Sequence, residues 1–86
     1  MRKHIVAGNW KMNTDLAETQ ELIAGLKKIN KTSDASVIIA PPFTNLYSAF
    51  ESLKDTDIEV AAQNMHQSSS GAFTGEISAS MLKGVG

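Results

Sequence analysis

Hydrophobic residues come in two rhythms along this chain. Ile5-Val6-Ala7-Gly8, Val37-Ile38-Ile39-Ala40 and Ile58-Glu59-Val60-Ala61-Ala62 are short, mostly apolar runs without a helical period. Such runs, bounded by polar or turn residues, predict buried strands. Between the first two, Leu22, Ile23, Leu26 and Ile29 recur at helical spacing and predict a helix over residues 15–29. Asp15 followed by Glu18 has the spacing of a capping box, and Lys27 and Lys28 fall in the last turn, where the helix dipole favours cations. Pro41-Pro42 stops the second strand. Thr44 is placed to cap a second helix with Leu46, Tyr47, Phe50 and Leu53 on one face. A polar loop, residues 63–76, follows the third strand. Ser78 then opens a short helix through Met81 and Leu82, with Gly84 near its C-cap.

The order β-α-β-α-β-loop-α predicts a parallel sheet with right-handed crossovers. Parallel strands are normally covered on both faces. Three strands also leave two open edges, so a fourth strand is the natural next element. The expected fold class is therefore α/β, as the first part of a larger sheet or barrel. Ile5, Ala7, Ile38 or Ile39, and Val60 are the residues expected to face its interior.

Length and composition narrow the class. A chain of 86 residues holds one domain at most, and a domain of that size buries only roughly 60% of its unfolded surface. A composition of 42% hydrophobic and 20% charged residues argues against disorder. A net charge of −1 without a basic run argues against a nucleic-acid or anionic-membrane partner. The lack of cysteine excludes disulfides and Cys-ligated zinc, and fits a reducing compartment. Met1-Arg2-Lys3 has the look of a signal n-region, but the apolar stretch behind it is too short for an h-region. No segment is long enough to span a bilayer as a helix.

Chemistry concentrates where the first strand ends, at "AGNWKMN", residues 7–13. Strand alternation puts Ile5, Ala7, Asn9 and Lys11 on one face, and Val6, Gly8, Trp10 and Met12 on the other. An amide and an ammonium at the C-terminal end of a parallel strand stand where α/β folds bind ligands. Asn9 both donates and accepts, and Lys11 suits a phosphate or an oxyanion. The plainer alternative is that Lys11 is a solvated strand end. In the loop, Phe73 stands among Ser, Gly and Thr between Gly71 and Gly75. It either contacts another surface or folds back under its own loop. No His, Asp and Glu cluster has metal-ligand spacing, so no metal is implied.

These strings resemble the triosephosphate isomerase family. "VAGNWKMN" is similar to its N-terminal signature, "IIAPPF" and "AAQNMH" to the ends of its second and third strands, and "GAFTGEISASMLK" to the entry of its third helix. The resemblance runs the length of the chain, in order. It implies a (β/α)₈ barrel, for which ~250 residues is typical, so that residues 1–86 would be the incomplete N-terminal part, about the first third, of a single barrel domain. It implies interconversion of dihydroxyacetone phosphate and glyceraldehyde 3-phosphate in glycolysis and gluconeogenesis, in the cytoplasm, by a homodimer without a cofactor. Asn9 and Lys11 correspond to substrate-binding residues. Phe73, Thr74, Gly75 and Glu76 correspond to an interdigitating loop that docks beside Asn9, Lys11 and Met12 of the neighbouring subunit, with Gln63 supporting this interface from the end of the third strand. The family's electrophilic histidine and glutamate base lie after its fourth and sixth strands. Neither His4 nor His66 matches the former and Glu76 does not match the latter, so no catalytic residue is expected among residues 1–86. Two alternatives accompany this reading. One is a non-catalytic piece that works only with a complementary partner. The other is a flavodoxin-like phosphate binder, which lacks its Gly-rich turn here.

Overall fold

A computed structural model describes residues 2–29 and 34–86. Strand β1 (Ile5–Asn9) leads to helix α1 (Leu16–Lys27), then β2 (Ser36–Ala40), a single 3₁₀ turn (Phe43–Asn45), α2 (Leu46–Leu53), β3 (Ile58–Val60) and α3 (Ala79–Val85). All pairings are parallel, in the order β1-β2-β3. Ala7 sits opposite Ile38, and Ile39 opposite Val60.

Helix α1 begins as its sequence predicts. Asp15 accepts a hydrogen bond from the Glu18 N–H at 2.9 Å, and Glu18 Oε1 accepts from the Asp15 N–H at 3.1 Å, which completes the capping box. Ser78 caps α3 by accepting from the Met81 N–H. The start of α2 differs from expectation. Pro41-Pro42 is followed by the 3₁₀ turn, and the Thr44 hydroxyl donates to Asn45 Oδ1 at 3.3 Å rather than capping a helix. Helix α3 runs through Gly84, and Gly86, at φ +123°, is the residue that closes it.

Ile23 of α1, Ile39 of β2, and Ala49 and Leu53 of α2 form the buried core, with Trp10, Leu26, Ile58 and Val60 packed against it. Both helices therefore cover the same face of the sheet. Sequential strand order with helices on one side is the winding of a barrel. A doubly wound sheet reverses direction at a switch point, and the flavodoxin order would put β1 between β2 and β3. The flavodoxin-like alternative is thus excluded.

The register also sorts the two faces. Val37 and Ile39 lie opposite Ile58 and Val60 on the helix-covered face, so Ile5, Ala7, Ile38 and Glu59 belong to the uncovered one. Val60 is accordingly a residue of the helix-facing core, against the expectation that it faces a barrel interior. Tyr47, Leu22 and Ile29 are exposed rather than core residues. Ala49, too small to stand out in the pattern, takes the central position of the α2 face and is fully buried. Leu53 is 1% exposed. In the full-length protein Leu53→Ala is expected to cost about 2–5 kcal/mol of unfolding free energy, measured by denaturant titration. A loss under about 1 kcal/mol would mean this core is not where the fold is held.

Candidate functional site

The three strands end on one rim, which carries the residues singled out by the sequence. Gly8 explains how the rim is built. A Cβ there would stand 3.7 Å from Trp10 Nε1, so the indole lies across the glycine on the helix-covered face and reaches the core. Trp10 is thus a packing residue, as alternation predicts, and its main-chain N–H donates to Ala40 O at 3.1 Å.

Beyond Trp10 the alternation breaks. Lys11 adopts φ +56° and Thr14 φ +75°. Left-handed backbone is uncommon outside glycine, and in a β-branched residue such as Thr it is an outlier. The Asn9 side chain bridges the first of these bends, its Oδ1 accepting from the Lys11 N–H at 2.9 Å. Gln63, after β3, donates from Nε2 to Lys11 O at 2.9 Å and to Ala40 O at 2.7 Å. One amide side chain therefore joins the ends of β1, β2 and β3. Asn13 Nδ2 donates to Trp10 O at 2.9 Å and closes the next turn.

The consequence for Lys11 is a fixed backbone under an exposed side chain. The ion pairs among the described residues, Lys27 with Asp55 and Lys54 with Glu51, lie away from the rim. The main chain of Lys11 is held at the strand ends, and its side chain leaves that fixed point exposed. Met12 is 96% exposed. Because the chain turns at Lys11, Met12 does not pack against the sheet with Gly8 and Trp10. It stands out beside the lysine.

Thr14, Thr19 and Asn45 form a network beneath the rim, and none of the three stands out in the sequence. Asn45 is 1% exposed and Thr19 0%. Asn45 Nδ2 donates to Thr14 O and to Thr19 Oγ1, both at 3.0 Å, and the Thr19 hydroxyl donates to Thr14 Oγ1 at 2.9 Å. A signal for Thr19 was present, since it precedes Ile23 by one helical repeat on the buried face. For Asn45 the sequence carries no signal, since the cap of α2 is assigned to its neighbour Thr44. Asn45 does occupy the cap position of α2, but its side chain makes no cap hydrogen bond and is turned toward Thr14 and Thr19.

The loop of residues 63–76 has its own framework. The His66 N–H donates to Ile77 O at 2.7 Å, and His66 Nδ1 accepts from the Ser68 N–H at 3.0 Å. The His66 and Phe73 rings lie 4.3 Å apart between centroids, tilted by 35°. Gly71, at φ +138°, lets the Phe73 ring approach so closely that a Cβ there would stand 2.8 Å from it. Phe73 folds back on its own loop and remains 48% exposed. Gly75 takes φ +86° between Thr74 and Glu76, and the Glu76 N–H donates to Phe73 O, which closes a tight turn. Thr74, Gly75 and Glu76 are all exposed. His66, unmatched to any catalytic role, is a structural residue of this loop.

The family profile of triosephosphate isomerase matches residues 4–86. Triosephosphate isomerases of Flavobacterium psychrophilum and Flavobacterium johnsoniae are 58% and 56% identical to the chain over its whole length. That of Alkaliphilus metalliredigens is 50% identical, again over the whole chain. The chain spans 35% of the length of each of these relatives.

Proposed function

The chain belongs to the triosephosphate isomerase family, and we propose on that footing that the whole protein interconverts dihydroxyacetone phosphate and glyceraldehyde 3-phosphate. Residues 1–86 form the N-terminal part of its single barrel domain. The observation that carries this reading is the rim itself, where Asn9 and a backbone-fixed Lys11 stand at the C-terminal ends of singly wound parallel strands. That end is where barrels of this architecture place their active sites.

In this reading Lys11 attracts the substrate's phosphate dianion and opposes charge developing on the substrate oxygen as an enediolate forms. A fixed positive charge in a site closed to water is worth more than in bulk solvent and needs no reorganisation during the reaction. Asn9 Oδ1 is committed to the Lys11 N–H, which leaves its amide N–H groups to orient a substrate oxygen. Proton transfer itself belongs to the family's carboxylate base and neutral histidine electrophile, in later parts of the fold. Substrate is held by charge and hydrogen bonds alone, and no cofactor is needed for the proton shift.

We place the protein in the cytoplasm as a homodimer. The tip of the Phe73-Thr74-Gly75-Glu76 loop is exposed and braced by His66 and Gly71, so it offers a pre-formed surface. Met12, exposed beside Lys11, offers an apolar counterpart for the loop of a second copy. Gln63 serves this interface indirectly, by holding the main chain of the segment that the loop would meet. A coupled assay on the full-length protein tests the activity. Isomerisation of glyceraldehyde 3-phosphate in proportion to enzyme is expected from the dimer fraction. Absence of turnover with either triose phosphate would refute the assignment.

A further inference from the structure

The segment that carries Lys11 is clamped at two carbonyls by two side-chain amides. Gln63 holds Lys11 O, and Asn45 holds Thr14 O. The second clamp is the buried one. Every polar atom around it has a partner: the Thr44 hydroxyl donates to Asn45 Oδ1, Asn45 donates to Thr14 O and Thr19 Oγ1, and Thr19 donates to Thr14 Oγ1. No buried side-chain N or O among the described residues lacks a hydrogen bond.

What this network opposes is visible in the backbone. Thr14 is held at φ +75°, which its branched Cβ disfavours, three residues after Lys11 at φ +56°. Strained conformations of this kind persist where the surroundings over-determine them. Neither Asn45 nor Thr19 lies on the rim surface, so neither is placed to touch a substrate. We propose that Asn45 is a positioning residue: by holding Thr14 in the left-handed region it sets the path of residues 11–14, and so the place of the Lys11 ammonium. This rests on the reading of Lys11 as the substrate-binding cation. Without the Asn45 amide, Thr14 relaxes toward negative φ, the segment shifts, and Lys11 moves with it.

The proposal separates from a simple loss of core packing by a second-site rescue. Glycine adopts positive φ without penalty. Thr14→Gly therefore removes the strain that the clamp opposes, while doing nothing to refill a cavity at position 45. In the full-length protein, Asn45→Ala is expected to lower kcat/KM by about tenfold or more, since a displacement of about 1 Å is worth up to ~10²-fold. On a Thr14→Gly background Asn45→Ala should cost no more than about threefold, because glycine meets no penalty at positive φ. The Lys11 backbone ¹³C chemical shifts, which report φ, should move in Asn45→Ala and return in the Thr14→Gly/Asn45→Ala pair. Should Asn45→Ala not fold, Thr19→Val, which keeps the shape and removes the hydroxyl, carries the same test with the same Thr14→Gly rescue. A single variant as active as the parent, a loss from Asn45→Ala undiminished on the Thr14→Gly background, or unmoved Lys11 shifts would overturn the proposal. If instead the parent does not isomerise triose phosphates, the substrate-binding reading of Lys11 falls, while the shifts still decide whether Asn45 sets the Lys11 backbone.

Discussion

Lys11→Met in the full-length protein is expected to lower kcat/KM by roughly 10²–10³, the usual loss when one preorganised stabiliser is removed from a closed site. The substitution leaves an unbranched side chain one atom shorter and removes its charge. The main-chain scaffold should survive, because Asn9 Oδ1 and Gln63 Nε2 bond to the Lys11 N–H and carbonyl rather than to its side chain. The loss should therefore appear with unfolding free energy unchanged within about 0.5 kcal/mol, as for a surface substitution. Both KM and kcat should suffer, since in the proposed role the same charge would meet the ground-state phosphate and the developing oxyanion. Lys11→Arg should also be poor, because a planar guanidinium does not occupy the position of a compact ammonium. Retention of kcat/KM within about tenfold by Lys11→Met would contradict the role given to this residue.

A polypeptide of residues 1–86 alone is expected to show no isomerase turnover and no dispersed, well-packed monomer. The described sheet buries one face only. Ile5, on the uncovered face, is 60% exposed, and Val6, at the β1 edge, is 59% exposed. Neither edge of the sheet has a further partner among the described residues, and unpaired edges template association. The Cα radius of gyration is 14.0 Å, against about 12 Å for a compact domain of this length. Even a complete core of such size rarely supplies more than about 3–5 kcal/mol, and the buried hydrophobic side chains among the described residues are Ile23, Ile39, Leu46, Ala49 and Leu53. Self-association or a fluctuating, dye-binding state should appear in sedimentation velocity over a hundredfold concentration range and in the amide proton spectrum. A single species of 9.2 kDa at every concentration, with sharp dispersed resonances, would show that three βα units suffice as a domain.

The fold was legible wherever a local rule decides it. Apolar runs gave the three strands, and the Asp15–Glu18 pair gave the start of α1, because a capping box lies within four residues. Winding was only implied by the alternation of elements, and the strand order made it definite. The site was half legible. Asn9 and Lys11 stand out as polar residues at the end of an apolar strand. What fixes them does not, because it comes from far along the chain. Gln63 reaches Lys11 across 52 positions, and Asn45 reaches Thr14 across 31. Alternation failed at Met12 for a related reason. The left-handed turn at Lys11 is bridged by Asn9 and held from afar by Gln63, and neither Lys nor Thr signals positive φ in a sequence. The cap assigned to Thr44 failed because its hydroxyl is drawn to Asn45 Oδ1.

Lys11, held at the end of β1 by Asn9 and Gln63, is proposed to meet the substrate. A crystal structure of the full-length protein with a non-isomerisable triose phosphate analogue tests it most directly. The account predicts the ligand at the C-terminal end of β1, with Lys11 Nζ at a hydrogen-bonding distance of about 2.7–3.2 Å from a ligand oxygen and Lys11 still at positive φ. A ligand bound away from Asn9 and Lys11, or a Lys11 side chain turned from it into solvent, would contradict it.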